Sequence, residues 1–218
     1  MNKTSGNVLI YVLLAIVLFA ALSFVLTKQL GKSGSTGRLD DDRAGLRAEE
    51  LIQYATGVRS TIEQMRSLGN VLPTELSFVK QGETGYATGS NAAKVYHPGG
   101  GGLNVFTPGP ELFVSTSAKR GWNHQMGTNV DWTSTSASDV IYSFVDVDPA
   151  ICAAINKRLY KDTAIPVVDK TASALFINGD ADDEDFLDAD CDDCDGRVSL
   201  CVEDSAGVNV FYNLVVSR

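Results

Sequence analysis

From Val8 to Thr27 the chain runs twenty residues without a charge, between Lys3 and Lys28. At 1.5 Å per residue a helix of that length is about 30 Å long, the thickness of a bilayer's hydrocarbon core. Secretory signals usually carry an apolar stretch of roughly 7–15 residues. The length therefore favours a retained membrane helix over a signal cut near the small residues Gly31 to Gly37. Whatever folds after this segment hangs from an apolar helix at one end. No cysteine lies near it to carry a lipid, since the first is Cys152.

The rest of the 218-residue chain suffices for one well-buried domain, or for a domain with a large insertion. Its charge is concentrated in one place. Asp180 to Asp195 holds nine Asp and one Glu with no Lys or Arg, so of the formal −9 the remainder sums to about +1. No basic stripe of the kind that neutralises phosphates is present, and nucleic acid is not expected as a main partner. All four cysteines, Cys152, Cys191, Cys194 and Cys201, follow the apolar run. An even count in an exported domain reads as two disulfides in any of three connectivities, a Cys152–Cys201 bridge among them. Zinc is disfavoured, because only Cys191 and Cys194 form a C-x-x-C and no His lies nearby. Lys28, Lys32 and Arg38 outnumber Lys3 and the terminal amine, against the positive-inside tendency. Export of the large domain therefore rests on the cysteines.

After Thr27, GKSGSTG (Gly31 to Gly37) is expected to weaken or melt the helix, giving a flexible joint over 31–42. Asp40, Asp41 and Asp42 are N-cap candidates for a second helix over Arg43 to Leu68. Leu51, Ala55, Val58, Ile62 and Met65 form its apolar stripe, expected to cover a sheet of its own domain. Glycine- and proline-rich loops follow, with HPGGGG (His97 to Gly102) among them. Strands are expected at Glu111 to Ser117, Asp139 to Val147 and Ser173 to Asn178, and a short helix at PAICAAINKRLY. RVSLCVED and VNVFYNLVVS flank SAG as a hairpin, with Gly207 free to take positive φ. The fold class is thus α+β: a long N-terminal helix, half membrane and half amphipathic, packed on a C-terminal antiparallel sheet and stabilised by disulfides.

In this context SGNVLIY (Ser5 to Tyr11) resembles the N-terminus of the type IV pilins and type II secretion pseudopilins. The resemblance implies that residues 1–6 are a leader, cut by prepilin peptidase after Gly6, and that Asn7 becomes the methylated N-terminus. It makes 7–30 the transmembrane and filament-core helix, with 43–218 as the exported head. Leu9 and Ile10 match the family at the third and fourth mature positions. The fifth is commonly Glu, thought to pair with a neighbour's N-terminal amine, and here it is Tyr11. Tyr11 can hydrogen-bond but cannot neutralise that amine, which is costly to leave alone in hydrocarbon. The departure implies a minor subunit rather than a bulk one. The partners implied are copies of itself or other pilin-like subunits, the peptidase, and the bacterial inner membrane before assembly into an extracellular filament. The competing reading is an unprocessed, membrane-anchored binding domain or adhesin.

The acidic stretch NGDADDEDFLDADCDDCDG reads as a solvated, mobile loop pinned at one end by its cysteines, or as a calcium loop. Asp188, Asp190 and Asp192 alternate as the first ligands of a calcium loop do, with Asp193 following. No Gly or Glu stands where an EF-hand needs them. Some pilin-like proteins hold calcium in a C-terminal loop, and the resemblance implies the same option here; no cofactor is required. Surrounding carboxylates disfavour thiolate at Cys191 and Cys194, against a redox-active pair. His97 and His124 have no matching nucleophile spacing, so no catalytic residue is expected. Trp122, Trp132, Tyr96 and Tyr142 read as core, with a binding surface as the alternative.

Overall fold

A computed structural model describes residues 11–20, 23, 35–116, 119–179 and 183–218, with the backbone alone at 35–38. The chain divides into two compact units, 1–43 and 44–218. In the first, residues 11–20 and 23 are helical, and helix α1 (Ser35–Gly69) begins there. Among the described residues no helix is long and apolar enough to cross a membrane. The expected span over 7–30 falls largely outside them.

Of the joint expected over 31–42, residues 31–34 lie outside the described residues, while 35–42 are already helical, so the helix starts ahead of the caps expected at Asp40 to Asp42. Extending a long helix backwards over three aspartates costs a few tenths of a kcal/mol each, less than the cost of starting a fresh nucleus. Asp40 and Arg43, at i and i+3, lie 4.0 Å apart on the exposed surface. The other end of α1 is where the glycine predicts it. Asn70 takes a left-handed φ of 51°, and the Val71 N–H closes back onto the Met65 carbonyl at 3.3 Å.

In the head, α1 buries Ala44, Ala48, Leu51, Ala55, Val58, Ile62 and Met65, the expected stripe extended by two alanines. It covers an antiparallel sheet of β1 (Gly121–Gln125), β2 (Val140–Val145), β3 (Ser199–Glu203) and β4 (Asn209–Val216), in the order β1-β2-β4-β3. Asn213 of β4 donates through Nδ2 to the Ala55 carbonyl at 3.1 Å, which ties the helix to the strand. Every residue of β2 and of β4 is buried. This explains why DVIYSFVDV does not alternate: both faces of the sheet are covered, so both sets of side chains are apolar.

On one face lie α1, helix α2 (Pro149–Tyr160) and the loops of 71–112, packed on Trp122, Tyr142, Phe144, Phe211 and Val215. α2 matches the expected helix. Asp148 caps it by accepting from the Ala150 N–H at 2.9 Å, Pro149 opens it, and Lys157 and Arg158 close it. On the other face Val168, Leu175, Phe176, Phe186, Cys191 and Cys194 cover Ile141, Leu200, Val210 and Tyr212. Two expectations fail, one on each face. Ser173 to Asn178 is not a strand but contains a helical turn, α3 (Ala172–Leu175). Glu111 to Ser117 gives a 3₁₀ turn over Pro110–Leu112 and a one-residue bridge from Phe113 to Val147. Short apolar runs carry no period long enough to separate the two states.

The hairpin forms as read. The Asp204 N–H donates to the Val208 carbonyl at 2.9 Å, and Gly207 sits at φ 80°. Of the three connectivities, Cys152 bonds Cys201 and Cys191 bonds Cys194. The outer edge of β3 is occupied. Asn156 of α2 accepts from the Cys201 N–H and donates to its carbonyl, both at 2.8 Å, and Pro166 and Val168 pair with Glu203.

Candidate functional site

Gly6, Asn7, Leu9 and Ile10 lie outside the described residues. Tyr11 opens the helical segment 11–20, with 68% of its surface exposed. Val12, Leu13, Leu14, Ile16, Val17, Leu18 and Phe19 follow, each at least 54% exposed. A helix that is apolar on all sides is one made to be covered by lipid or by other helices. The segment has no polar face to turn to water.

From Asp183 onward the acidic loop is anchored well before its cysteines rather than at one end, which corrects the expectation of a mobile loop over the described residues. The Gln125 amide donates to Asp183 Oδ1 at 2.8 Å, and Gly127 leaves room for that carboxylate where a Cβ would collide with it. The Asn129 N–H donates to Asp185 Oδ1 at 3.1 Å. Phe186 is fully buried, and its backbone pairs with Asn129 and Asp131 at 2.8 and 3.0 Å. The aromatic Phe186 in the middle of the acidic run is the available sign that the loop turns inward.

Lys170 sits where a cation would. Its ammonium lies 2.6 Å from the Asp185 carbonyl, 3.0 Å from Asp190 Oδ2 and 3.4 Å from Glu184 Oε2. Asp190 Oδ2 also accepts from the Leu187 N–H at 2.8 Å. Of the four candidate calcium ligands, Asp190 is therefore already neutralised. Asp188 is raised above the usual carboxylate range, first by desolvation and then by the charges of Asp195, Asp131 and Asp192. The crowding thus involves Asp188 and Asp192 but brings in Asp131 and Asp195 rather than Asp190 and Asp193. Among the described residues no three acidic, His or Cys side chains are grouped closely enough to hold a metal ion.

All four cysteines are paired and buried, Cys152, Cys194 and Cys201 completely. Trp122, Tyr96 and Tyr142 are core residues, and Trp132 packs half-buried against Phe186. His97 Nδ1 accepts from the Gly99 N–H at 3.0 Å, a local turn contact. His124 stacks on Phe78 at 4.5 Å. Comparison with protein-family models, with curated proteins and with solved structures finds no match to this chain.

Proposed function

We propose that the protein is a pilin-like structural subunit, minor rather than bulk, cut after Gly6 and assembled through its N-terminal helix. The observation that carries this reading is the segment 11–20. Its eight large apolar side chains are more than half exposed, while the head closes both faces of its own sheet. Fully covering one such side chain contributes about 1.5–3 kcal/mol, so covering the segment supplies on the order of 10 kcal/mol toward insertion or association. The inner membrane covers it first and the helices of neighbouring subunits cover it in the filament. Tyr11 leaves a neighbour's amine unneutralised, which suits a position made once per filament better than one repeated along it. The two disulfides support an exported head. A membrane-anchored adhesin that is never cut is the second reading, favoured by the same exposed helix.

Intact mass and N-terminal sequence of the protein from native membranes separate the two. A chain starting at Asn7 with one added methyl is the expected result. A chain starting at Met1 removes the filament reading and leaves the anchored domain. A start beyond Gly31 means that the apolar run was a signal peptide. Calcium belongs to the proposal as an ion that the carboxylates around Asp188 would ligate once drawn together, relieving their repulsion. Melting curves with millimolar Ca²⁺ test it, and a melting temperature that does not move discards it.

A further inference from the structure

A cavity of about 150 Å³ opens beside β1 on the face of the sheet that α1 covers, at a distance in sequence from both the assembly segment and the acidic loop. Rings of Phe78, Trp122 and His124 wall it, and Asn123, Lys80 and Glu83 supply its polar groups. One of these groups is buried without a hydrogen-bond partner among the described residues, and two partly or fully exposed ones keep spare bonding capacity. The Trp122 indole N–H is buried with no hydrogen-bond partner among the described residues. His124, partly exposed, accepts at its carbonyl from the Asn178 N–H at 2.7 Å, and neither of its ring nitrogens has a hydrogen-bond partner among the described residues. Glu83, an exposed residue, uses Oε2 to accept from the Lys80 N–H at 2.7 Å and keeps Oε1 open at the mouth of the cavity. Native folds rarely leave a buried donor unmet, and those they do leave need an account.

We infer that this cavity binds one ring of a neutral polyhydroxylated ligand, a monosaccharide, either free or as the terminal unit of a glycan. Its volume is half the lower end of the roughly 300–1,000 Å³ range for drug-sized ligands, which leaves out nucleotides and peptides. One ammonium and one carboxylate stand together at the site, so neither an anion nor a cation gains much there. Donors and acceptors are mixed, as hydroxyl groups require, and ring edges offer apolar patches to C–H groups. Burial first, and then the Lys80 charge, hold the His124 pKa down at about 4 against the opposing pull of Glu83. The imidazole is therefore neutral at physiological pH and keeps one nitrogen as an acceptor. The site stands independently of the assembly reading.

Trp122 provides the probe. In the full-length chain in detergent, Trp132→Phe leaves it the sole tryptophan. Methyl glycosides of hexoses and N-acetylhexosamines are then titrated against its emission. The expected result is a saturable change with a Kd on the order of 1 mM or tighter for at least one glycoside. His124→Phe and Glu83→Gln should each weaken it tenfold or more, with the thermal melt showing that each variant is folded. Glu83→Gln serves alone if His124→Phe does not fold. Retention on the matching immobilised glycan marks a glycan terminus, and binding without retention marks a free sugar. No saturable response to any glycoside, or a response that both substitutions leave unchanged, overturns the inference.

Discussion

The two faces of the sheet are buried equally well and by opposite means. One is covered by regular elements, α1 and α2, whose apolar residues recur with the helical period. The other is covered by irregular segments, in which Phe176 and Phe186 reach inward from a single helical turn and from an acidic loop. Periodic elements carry their own backbone hydrogen bonds and need only an apolar stripe. Irregular ones must find partners for each N–H and C=O, and the second face is accordingly dense in polar anchors. Ser143 Oγ donates to the Phe176 carbonyl at 2.7 Å. Asp204, only 3% exposed, accepts from the Ala172, Ala206 and Val208 N–H groups. Asp139 accepts from Val130 and Arg218.

The largest expected effect separates the disulfides of the two faces. Cys152–Cys201 joins α2 to β3 across 49 residues, and Cys191–Cys194 spans three. By loop entropy the first contributes about 4 kcal/mol and the second under about 2 kcal/mol. Guanidinium unfolding of the Cys152→Ala/Cys201→Ala and Cys191→Ala/Cys194→Ala pairs measures this directly. Equal losses would mean that the short bridge fixes the second face rather than merely decorating it.

Acid should weaken the helix-covered face, where His124 packs on Phe78 with Lys80 and Glu83 beside it. The imidazole pKa is near 4 in the fold and about 6.5 in the unfolded chain, so between these values the unfolded chain binds the extra proton. Stability is then full above about pH 6.5 and declines toward pH 4, by on the order of 2 kcal/mol. Denaturant midpoints across this range check it against His124→Phe, which removes the imidazole and its share of the decline. A variant that tracks the wild type shows that other groups set the slope.

Removing the counter-ion of the loop-covered face has the smallest effect. Lys170→Met leaves Asp190 and Glu184 without their ammonium and should cost about 1 kcal/mol. The gap from the wild type should narrow in about 1 M salt, where charges beyond about 3 Å are screened. A gap indifferent to salt would place the lysine's contribution in packing instead.

This contrast also governs what could be read from the chain. Leu51 to Met65 announce a helix with one buried side, and SAG announces a turn, because each signal is local. The pattern of Asp139 to Val147 shows a strand but not why it fails to alternate, since that depends on Phe176 and Phe186 arriving from elsewhere. Ser173 to Asn178 misleads for the same reason: its helical turn is fixed at Ala172 by Asp204, 32 residues on. β1, written GWNHQ, carries almost no strand signal, and its Trp122 is placed by Tyr142 stacked at 4.7 Å. Of the candidate site, the apolar character of 11–20 is evident in its composition. The role of Lys170 in the acidic loop is not, because no spacing links a lysine to an aspartate twenty residues away.

Asn156 has a consequence for how such a chain can associate. By presenting an amide to both backbone groups of Cys201 it stands in for a fifth strand, and Pro166 and Val168 continue the imitation at Glu203. An incoming strand from another copy finds no open ladder on that side. In the proposed filament, copies would stand at high local concentration, where an open edge would seed β-aggregates. With this edge closed by the Asn156 amide, strand pairing between copies is blocked there, and the proposed assembly would fall to the helices.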